Sequence, residues 1–262
     1  MSRVEVIGDC TLYLGDCRDV LGAQPAQSVD MILTDPPYGN SNNEGDLNAA
    51  IGSMRGYEVE AIANDDQASM RAVVGDMLLQ GARVLRKTSA LLCFCSGGGQ
   101  RGPTFAWLAQ RMDEGGLDFF HSLIWDKVNT GLGWRYRRQY EMVMIAHRAR
   151  GKILWADPGR SHPNIVKMPA PAGFLRRHPN EKPVALMRLL LEIHAPPGAV
   201  VCDPFMGSGT TGVAAVQLGL SFVGVELDAR HFDTACRRIE EAVRQPRLAL
   251  AAPARVVQEA LI

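Results

Sequence analysis

The sequence predicts an α/β protein with a doubly wound, mostly parallel β-sheet. Three observations predict it. Strand-like and helix-like segments alternate along the chain, the pattern of strands joined by crossover helices. Two short apolar runs, 28–33 and 199–202, lack the polar alternation of a half-exposed strand and read as strands covered on both faces. Each run ends in a special turn, Thr34-Asp35-Pro36-Pro37-Tyr38 or the stretch from Asp203 to Gly212. The carboxyl ends of strands are where open α/β sheets hold their ligands.

The elements follow in order. Residues 4–7 and 11–14 read as two short strands around a Gly-Asp turn. Gly15-Asp16-Cys17 opens an amphipathic helix that stops before Gln24-Pro25. The strand 28–33 ends at Pro36-Pro37, because proline cannot donate to a ladder and restricts the residue before it. Residues 39–65 are rich in Gly, Asn and Ser with little periodicity, a length typical of a lid or binding loop. Asp65 or Asp66 caps a helix over roughly 67–86. Residues 89–95 form a strand, stopped by Gly97-Gly98-Gly99; 103–114 form a helix and 119–125 a strand. A further strand is expected at 141–146, then a basic, proline-rich, loop-like stretch over 147–177. Helix 183–193, strand 199–202, helix 210–218, strand 221–225 and helix 229–244 complete the pattern.

At 262 residues the chain is long enough to bury a sizeable core. It reads as a single domain over 1–262 with an inserted segment at about 127–180. No apolar run is long enough to span a bilayer and no signal peptide is read at the start, so no membrane association is expected. The six cysteines (Cys10, Cys17, Cys93, Cys95, Cys202, Cys236) lack metal-type pairs and read as reduced thiols of a cytoplasmic protein; no metal is expected. Net charge is zero, but it is segregated. Residues 121–188 hold 13 Lys/Arg against 4 Asp/Glu, and the rest of the chain 15 against 24. A basic block on an acidic body is the footprint of a polyanion-binding face. Lys127, Arg135, Arg137 and Arg138, interleaved with Trp134, Tyr136 and Tyr140, together with Arg176 and Arg177, are the candidate nucleic-acid contacts.

Two turns carry the chemistry. In the first, Asp35 and a proline carbonyl can together accept both hydrogens of an exocyclic amine, and Tyr38 can stack on the base that bears it. In the second, Asp203-Pro204-Phe205-Met206-Gly207-Ser208-Gly209-Thr210-Thr211-Gly212 joins a strand to a helix, and Glu226 follows Gly207 by 19 residues at the end of the next strand. That spacing brings a carboxylate to ribose hydroxyls. The letters satisfy the dinucleotide glycine pattern, yet Asp203 at the strand end repels phosphate. A ligand with an ammonium and no phosphate, such as S-adenosyl-L-methionine, suits it.

These motifs resemble the beta group of amino-group DNA methyltransferases, in which Asp-Pro-Pro-Tyr precedes Phe-x-Gly-x-Gly, here Phe205 to Gly209. Gly15-Asp16-Cys17, Ile124-Trp125-Asp126-Lys127, Arg137-Arg138-Gln139-Tyr140-Glu141, His178-Pro179-Asn180-Glu181-Lys182-Pro183 and Phe222-Val223-Gly224-Val225-Glu226-Leu227 are similar to further segments of that family, in its order. The resemblance implies a seven-stranded Rossmann-like sheet with a reversed strand near one edge and a circularly permuted motif order. It implies S-adenosyl-L-methionine as cofactor, held by Asp16, Cys17, Asp35, Lys182, Asp203, Phe205, Gly207, Ser208, Gly209, Thr210, Thr211, Glu226 and Leu227. Asp203 is assigned to the methionine ammonium, Glu226 to the ribose and Asp16 to the adenine amine, with Lys182 and His178 near the methionine carboxylate. Catalysis falls to Asp35, Pro36, Pro37 and Tyr38 acting on N6 of an adenine flipped out of double-stranded DNA. N4 of cytosine needs the same geometry, but that branch more often has Ser before the two prolines. A catalytically silent DNA-binding subunit and a nicotinamide dehydrogenase are the other readings; the intact acid and glycines oppose the first, and Asp203 the second. A homodimer and a cognate restriction endonuclease are the protein partners this family allows.

Overall fold

In the computed structural model one twisted sheet organises residues 3–39, 63–64, 66–97, 104–130, 136–148, 155–156, 161–170 and 181–245, the residues it describes. The elements run β1 (Arg3–Ile7), β2 (Cys10–Leu14), α1 (Cys17–Ala23), β3 (Val29–Thr34), α2 (Gln67–Val84), β4 (Leu85–Cys95), α3 (Thr104–Glu114) and β5 (Leu117–Asp126). They continue with β6 (Tyr140–Arg148), β7 (Ile165–Lys167), α4 (Val184–His194), β8 (Val200–Asp203), α5 (Thr210–Gln217), β9 (Ser221–Glu226) and α6 (Ala229–Arg244). Across the sheet the order is β1-β2-β9-β8-β3-β4-β6-β5-β7.

The expected parallel core is present: β2, β9, β8, β3 and β4 pair in parallel in that order. β6 is the reversed strand, antiparallel to both β4 and β5. The strand count differs from the seven implied by the resemblance, because one strand is added at each edge. β1 pairs antiparallel with β2, and β7 pairs parallel with β5. β7 escapes a periodicity search because it is three residues long inside a proline-rich stretch. β4 begins earlier than expected. A bulge spans its first residues, where Leu85 faces Val29 and the next pair is Ala90 with Met31. The polar residues Arg86, Lys87 and Thr88 loop out of register there, with Thr88 at φ 71°, so this start has no strand-like pattern.

Alternation along the strands feeds two apolar layers. Met31, Leu33, Leu92 and Phe94 join residues of α4, α5 and α6 on one face. Ile32, Leu91 and Cys93 join α1, α2 and α3 on the other. Both faces are covered, as a parallel sheet requires. Among the described residues no helix is long and apolar enough to cross a membrane.

Two features of this packing yield expected outcomes. Gly209, the N-cap of α5, has φ 81°, and a Cβ there would meet Ala235 Cβ at 2.9 Å and Ala235 Cα at 3.0 Å. Gly209→Ala adds left-handed strain to a backbone clash with α6 and is expected to destabilise the fold by roughly 2–4 kcal/mol in chemical denaturation. Secondly, His194 is 4% exposed at the end of α4, its ring 5.0 Å from that of Trp155. Burial, with His147 and His162 nearby, lowers its pKa from 6.5 to about 4. A depressed histidine favours the neutral native state, so its stabilisation is whole above pH 6.5 and drains away as pH falls toward 4. The loss should reach up to about 3 kcal/mol, and a His194→Leu protein should show a flatter stability–pH curve over that window.

Candidate active site

The carboxyl ends of the parallel strands line one edge of the sheet, and the reversed β6 brings its first residues to the same edge. Register fixes this: Leu14 is opposite Glu226, Asp203 opposite Gly224, Cys95 opposite Met142 and Asp126 opposite Tyr140. Both turns singled out in the sequence therefore open side by side.

Asp35 follows β3 directly. Its Oδ1 accepts from the Tyr38 hydroxyl at 2.6 Å, and its Oδ2 is ion-paired with the Lys182 ammonium. Lys182 is 5% exposed and also reaches Glu141 Oε2 at 3.1 Å; Lys127 Nζ holds Glu141 Oε1 at 2.7 Å. Two carboxylates and two ammonium groups thus close one buried cluster around a phenol. Burial pushes the Asp35 carboxyl up while Lys182 pulls it down, and the net direction is upward. Glu141, desolvated but shared by Lys182 and Lys127, is drawn down to about 2. Burial and the neighbouring Asp35 raise Tyr38 well above the usual phenol value, so it stays a donor. Pro36 is buried and Pro37 half-buried, and among the described residues no donor is placed on the Pro36 carbonyl. Gln67 Nε2 bonds the Gly39 carbonyl at 2.8 Å, which ties the end of the turn to the first residue of α2.

The glycine turn is held from both sides. Asp203, 3% exposed, accepts from Thr34 Oγ1 at 2.8 Å, Thr211 Oγ1 at 2.6 Å and the Phe205 amide at 3.1 Å. Burial raises its pKa to about 6 against these hydrogen bonds. Arg238 Nη1 donates to the Ser208 carbonyl at 2.8 Å, to Ser208 Oγ at 2.7 Å and to Thr210 Oγ1 at 3.3 Å, while Nη2 pairs with Glu181 at 2.6 Å. The side chains of Ser208, Thr210 and Thr211 therefore shape the turn, and what it offers a ligand is backbone. Glu226 accepts from the Gly207 amide at 2.9 Å and the Asp228 amide at 2.8 Å. A carboxylate has about four acceptor positions, so capacity remains. Phe205 packs half-buried against the α1–α3 layer, and Leu227 is 49% exposed beside Glu226.

The remaining predicted positions divide. Asp16 caps α1 through the Arg18 amide and pairs with the Arg18 guanidinium at 2.6 Å, two residues beyond the Leu14–Glu226 pairing. Cys17 is a core residue whose thiol burial pushes up to about 12, so its side chain is unreactive. Lys127, expected on DNA, is turned inward onto Glu141 and is 23% exposed. Lys182, expected at the methionine carboxylate, is engaged by Asp35 and Glu141. Arg137 and Arg138 are exposed just before β6, and Tyr136 is 92% exposed. Arg135, Arg176, Arg177, Trp134, His178 and most of the 39–65 loop lie outside the described residues. Sequence reasoning did not assign Thr34, Glu141, Glu181 or Arg238 to the site. Thr34, Glu141 and Glu181 stand inside segments the sequence singled out, whereas Arg238 left no signal.

The chain that carries these two turns is similar to known proteins. Residues 29–237 match the family model described as DNA methylase, of the N6/N4 type. The protein named Putative methylase YubD, from Escherichia coli (strain K12), is 30% identical over 216 residues, 81% of this chain and 82% of that protein. Two solved structures share the fold. The M1.HpyAVI–SAM complex has a TM-score of 0.63 at 23% identity, covering 88% of this chain and 99% of that one. PvuII DNA methyltransferase (cytosine-N4-specific) has a TM-score of 0.70 at 16% identity, covering 91% of each chain. The match spans both chemical turns and most of the sheet: this chain belongs to the N6/N4 DNA methylase family.

Proposed function

We propose that this enzyme transfers a methyl group from S-adenosyl-L-methionine to the exocyclic N6 amine of adenine in DNA. The observation that carries the reading is the short link Asp35–Thr34–Asp203. Thr34 precedes the amine acceptor and donates to the acid that shapes the glycine turn, so acceptor and cofactor turn are fixed together. The donor set suits this cofactor. Asp16, Asp203 and Glu226 set three carboxylates around a turn that presents backbone, which favours amino and hydroxyl groups over phosphate. Bound S-adenosyl-L-methionine supplies an electrophilic methyl on its sulfonium. Asp16 is assigned to its adenine amine, Glu226 to the ribose hydroxyls and Asp203 to the ammonium.

An aromatic amine is a poor nucleophile because its lone pair is delocalised into the ring. With its two hydrogens accepted by Asp35 and the Pro36 carbonyl, the nitrogen pyramidalises and recovers that lone pair. Asp35 then faces the positive charge that grows on nitrogen as the N–C bond forms and the S–C bond breaks. Pro37 stiffens the turn, and Tyr38 offers its ring to the extruded base. N4 of cytosine would satisfy the same acceptors, and the fold similarity to PvuII methyltransferase, named cytosine-N4-specific, favours that second reading. An acid rather than Ser ahead of the prolines favours adenine.

Two experiments test this. DNA incubated with labelled S-adenosyl-L-methionine and digested to nucleosides should carry the label in N6-methyl-2′-deoxyadenosine, and Asp35→Ala should abolish it while cofactor affinity stays within about tenfold, roughly 1.4 kcal/mol. Label in N4-methyl-2′-deoxycytidine selects the second reading, and wild-type turnover by Asp35→Ala removes the mechanism. The basic segment of about 127–180 is proposed as the DNA-recognition insertion, with Arg137 and Arg138 as its described contacts beside Glu141 and Tyr140 at the active edge. Each arginine changed to Ala should weaken DNA binding. A phosphate contact lowers the salt slope by about one, whereas a base reader costs ~1–3 kcal/mol at one position. Unchanged affinity and slope in both variants would move the interface elsewhere.

A further inference from the structure

Accepting an amine requires only Asp35 and the Pro36 carbonyl, yet the structure surrounds Asp35 with a cluster of further charges. Lys182 faces it from the segment ahead of α4, Tyr38 from its own turn, Glu141 from β6, Cys93 and Cys95 from β4, and Asp203 from β8; Lys127 of β5 faces Glu141. An ammonium has three donors. One of Lys182 goes to Asp35 Oδ2 and a second to Glu141 Oε2 at 3.1 Å; the Tyr38 hydroxyl lies 3.5 Å from Nζ. The Phe94 and Tyr38 ring centroids, 5.2 and 5.7 Å from Nζ, complete the enclosure. The Tyr38 hydroxyl in turn sits 2.6 Å from Asp35 Oδ1 and 3.2 Å from Glu141 Oε2. Lys182 is therefore shared between two carboxylates, and Glu141 is shared between two lysines.

We propose that Lys182 and Glu141 are a matched pair of positioning residues for Asp35. The ammonium fixes the carboxylate as an anion, and Glu141 draws that ammonium back so that Asp35 keeps an acceptor edge for the target amine. Each partner answers one failure. Without Lys182, a desolvated carboxylate between the Glu141 and Asp203 anions would take a proton and present the amine with a donor. Without the Glu141 charge, Lys182 would close onto Asp35 alone, seal Oδ2 and neutralise the charge that the transition state needs. Lys127 in this arrangement keeps Glu141 ionised. The proposal rests on Asp35 acting as the amine acceptor.

The two roles predict opposite signs in one measurement. The pH profile of kcat for methyl transfer to DNA should show its acid limb moved up by roughly one to three units in Lys182→Met, and returned toward wild type in Lys182→Arg. In Glu141→Gln the limb should move down and the plateau kcat should fall, with KM for DNA unmoved. Cofactor binding by calorimetry certifies that each variant is folded. If Lys182→Met fails to fold, the downward shift in Glu141→Gln decides alone. Shifts of the same sign, or no shift in folded variants, overturn the pair. Asp35→Ala separates the two levels: retained turnover removes Asp35 itself as acceptor, whereas an inactive Asp35→Ala with unmoved limbs removes only the roles of Lys182 and Glu141.

Discussion

The buried carboxylate of Asp203 is the interaction on which the rest of the site depends. It takes three hydrogen bonds, from Thr34 at the end of β3, Thr211 at the start of α5 and the Phe205 amide within the turn between. Placing a carboxylate where it is 3% exposed is costly, and burial raises its pKa to about 6. The hydrogen bonds offset that cost only when β3, β8 and α5 are in place together. One residue therefore makes the Asp35 turn and the glycine turn parts of a single rigid unit, as the proposed transfer between them requires.

Around that unit the chain uses charge in two ways. Arg238 and Glu181, each 9% exposed in the side chain, brace the glycine turn from α6 and from the segment before α4. Lys182, one residue after Glu181, turns instead to Asp35 and Glu141. Adjacent residues of one segment thus support the two halves of the site. Breaking either buried pair by removing one partner would leave an uncompensated charge. The segment ahead of α4 is therefore as much a part of the active edge as the two turns, although it contributes no strand to the sheet.

Cys17, Cys93, Cys95 and Cys202 fill part of the α1–α3 layer as small apolar residues, and burial raises each thiol above its usual pKa. The buried charges Asp203 and Lys182 stand at the carboxyl edge, where strand ends leave backbone and acids unpaired by the ladder. That division lets the same strands serve as core along their length and as site at their ends.

The sequence by itself determined the alternation of strands and helices, the two turns at strand ends and the carboxylate 19 residues beyond Gly207. Those are local properties. Proline stops a ladder, glycine permits the φ of 81° at Gly209, and apolar runs mark strands covered on both faces. It did not determine the edge strand β7, because Ile165–Lys167 is too short for a period, nor the true beginning of β4, which a polar bulge obscures. Nor did it determine the partners of the charged groups. Lys127 and Lys182 read as cations for DNA or cofactor, but Glu141 lies 14 residues from the first and 41 from the second, and only sheet register brings β6 to Asp35. Ion pairs form between side chains that meet in space, and separation along the chain carries no record of the meeting. The tertiary structure alone decided that the acids and bases of this site hold one another.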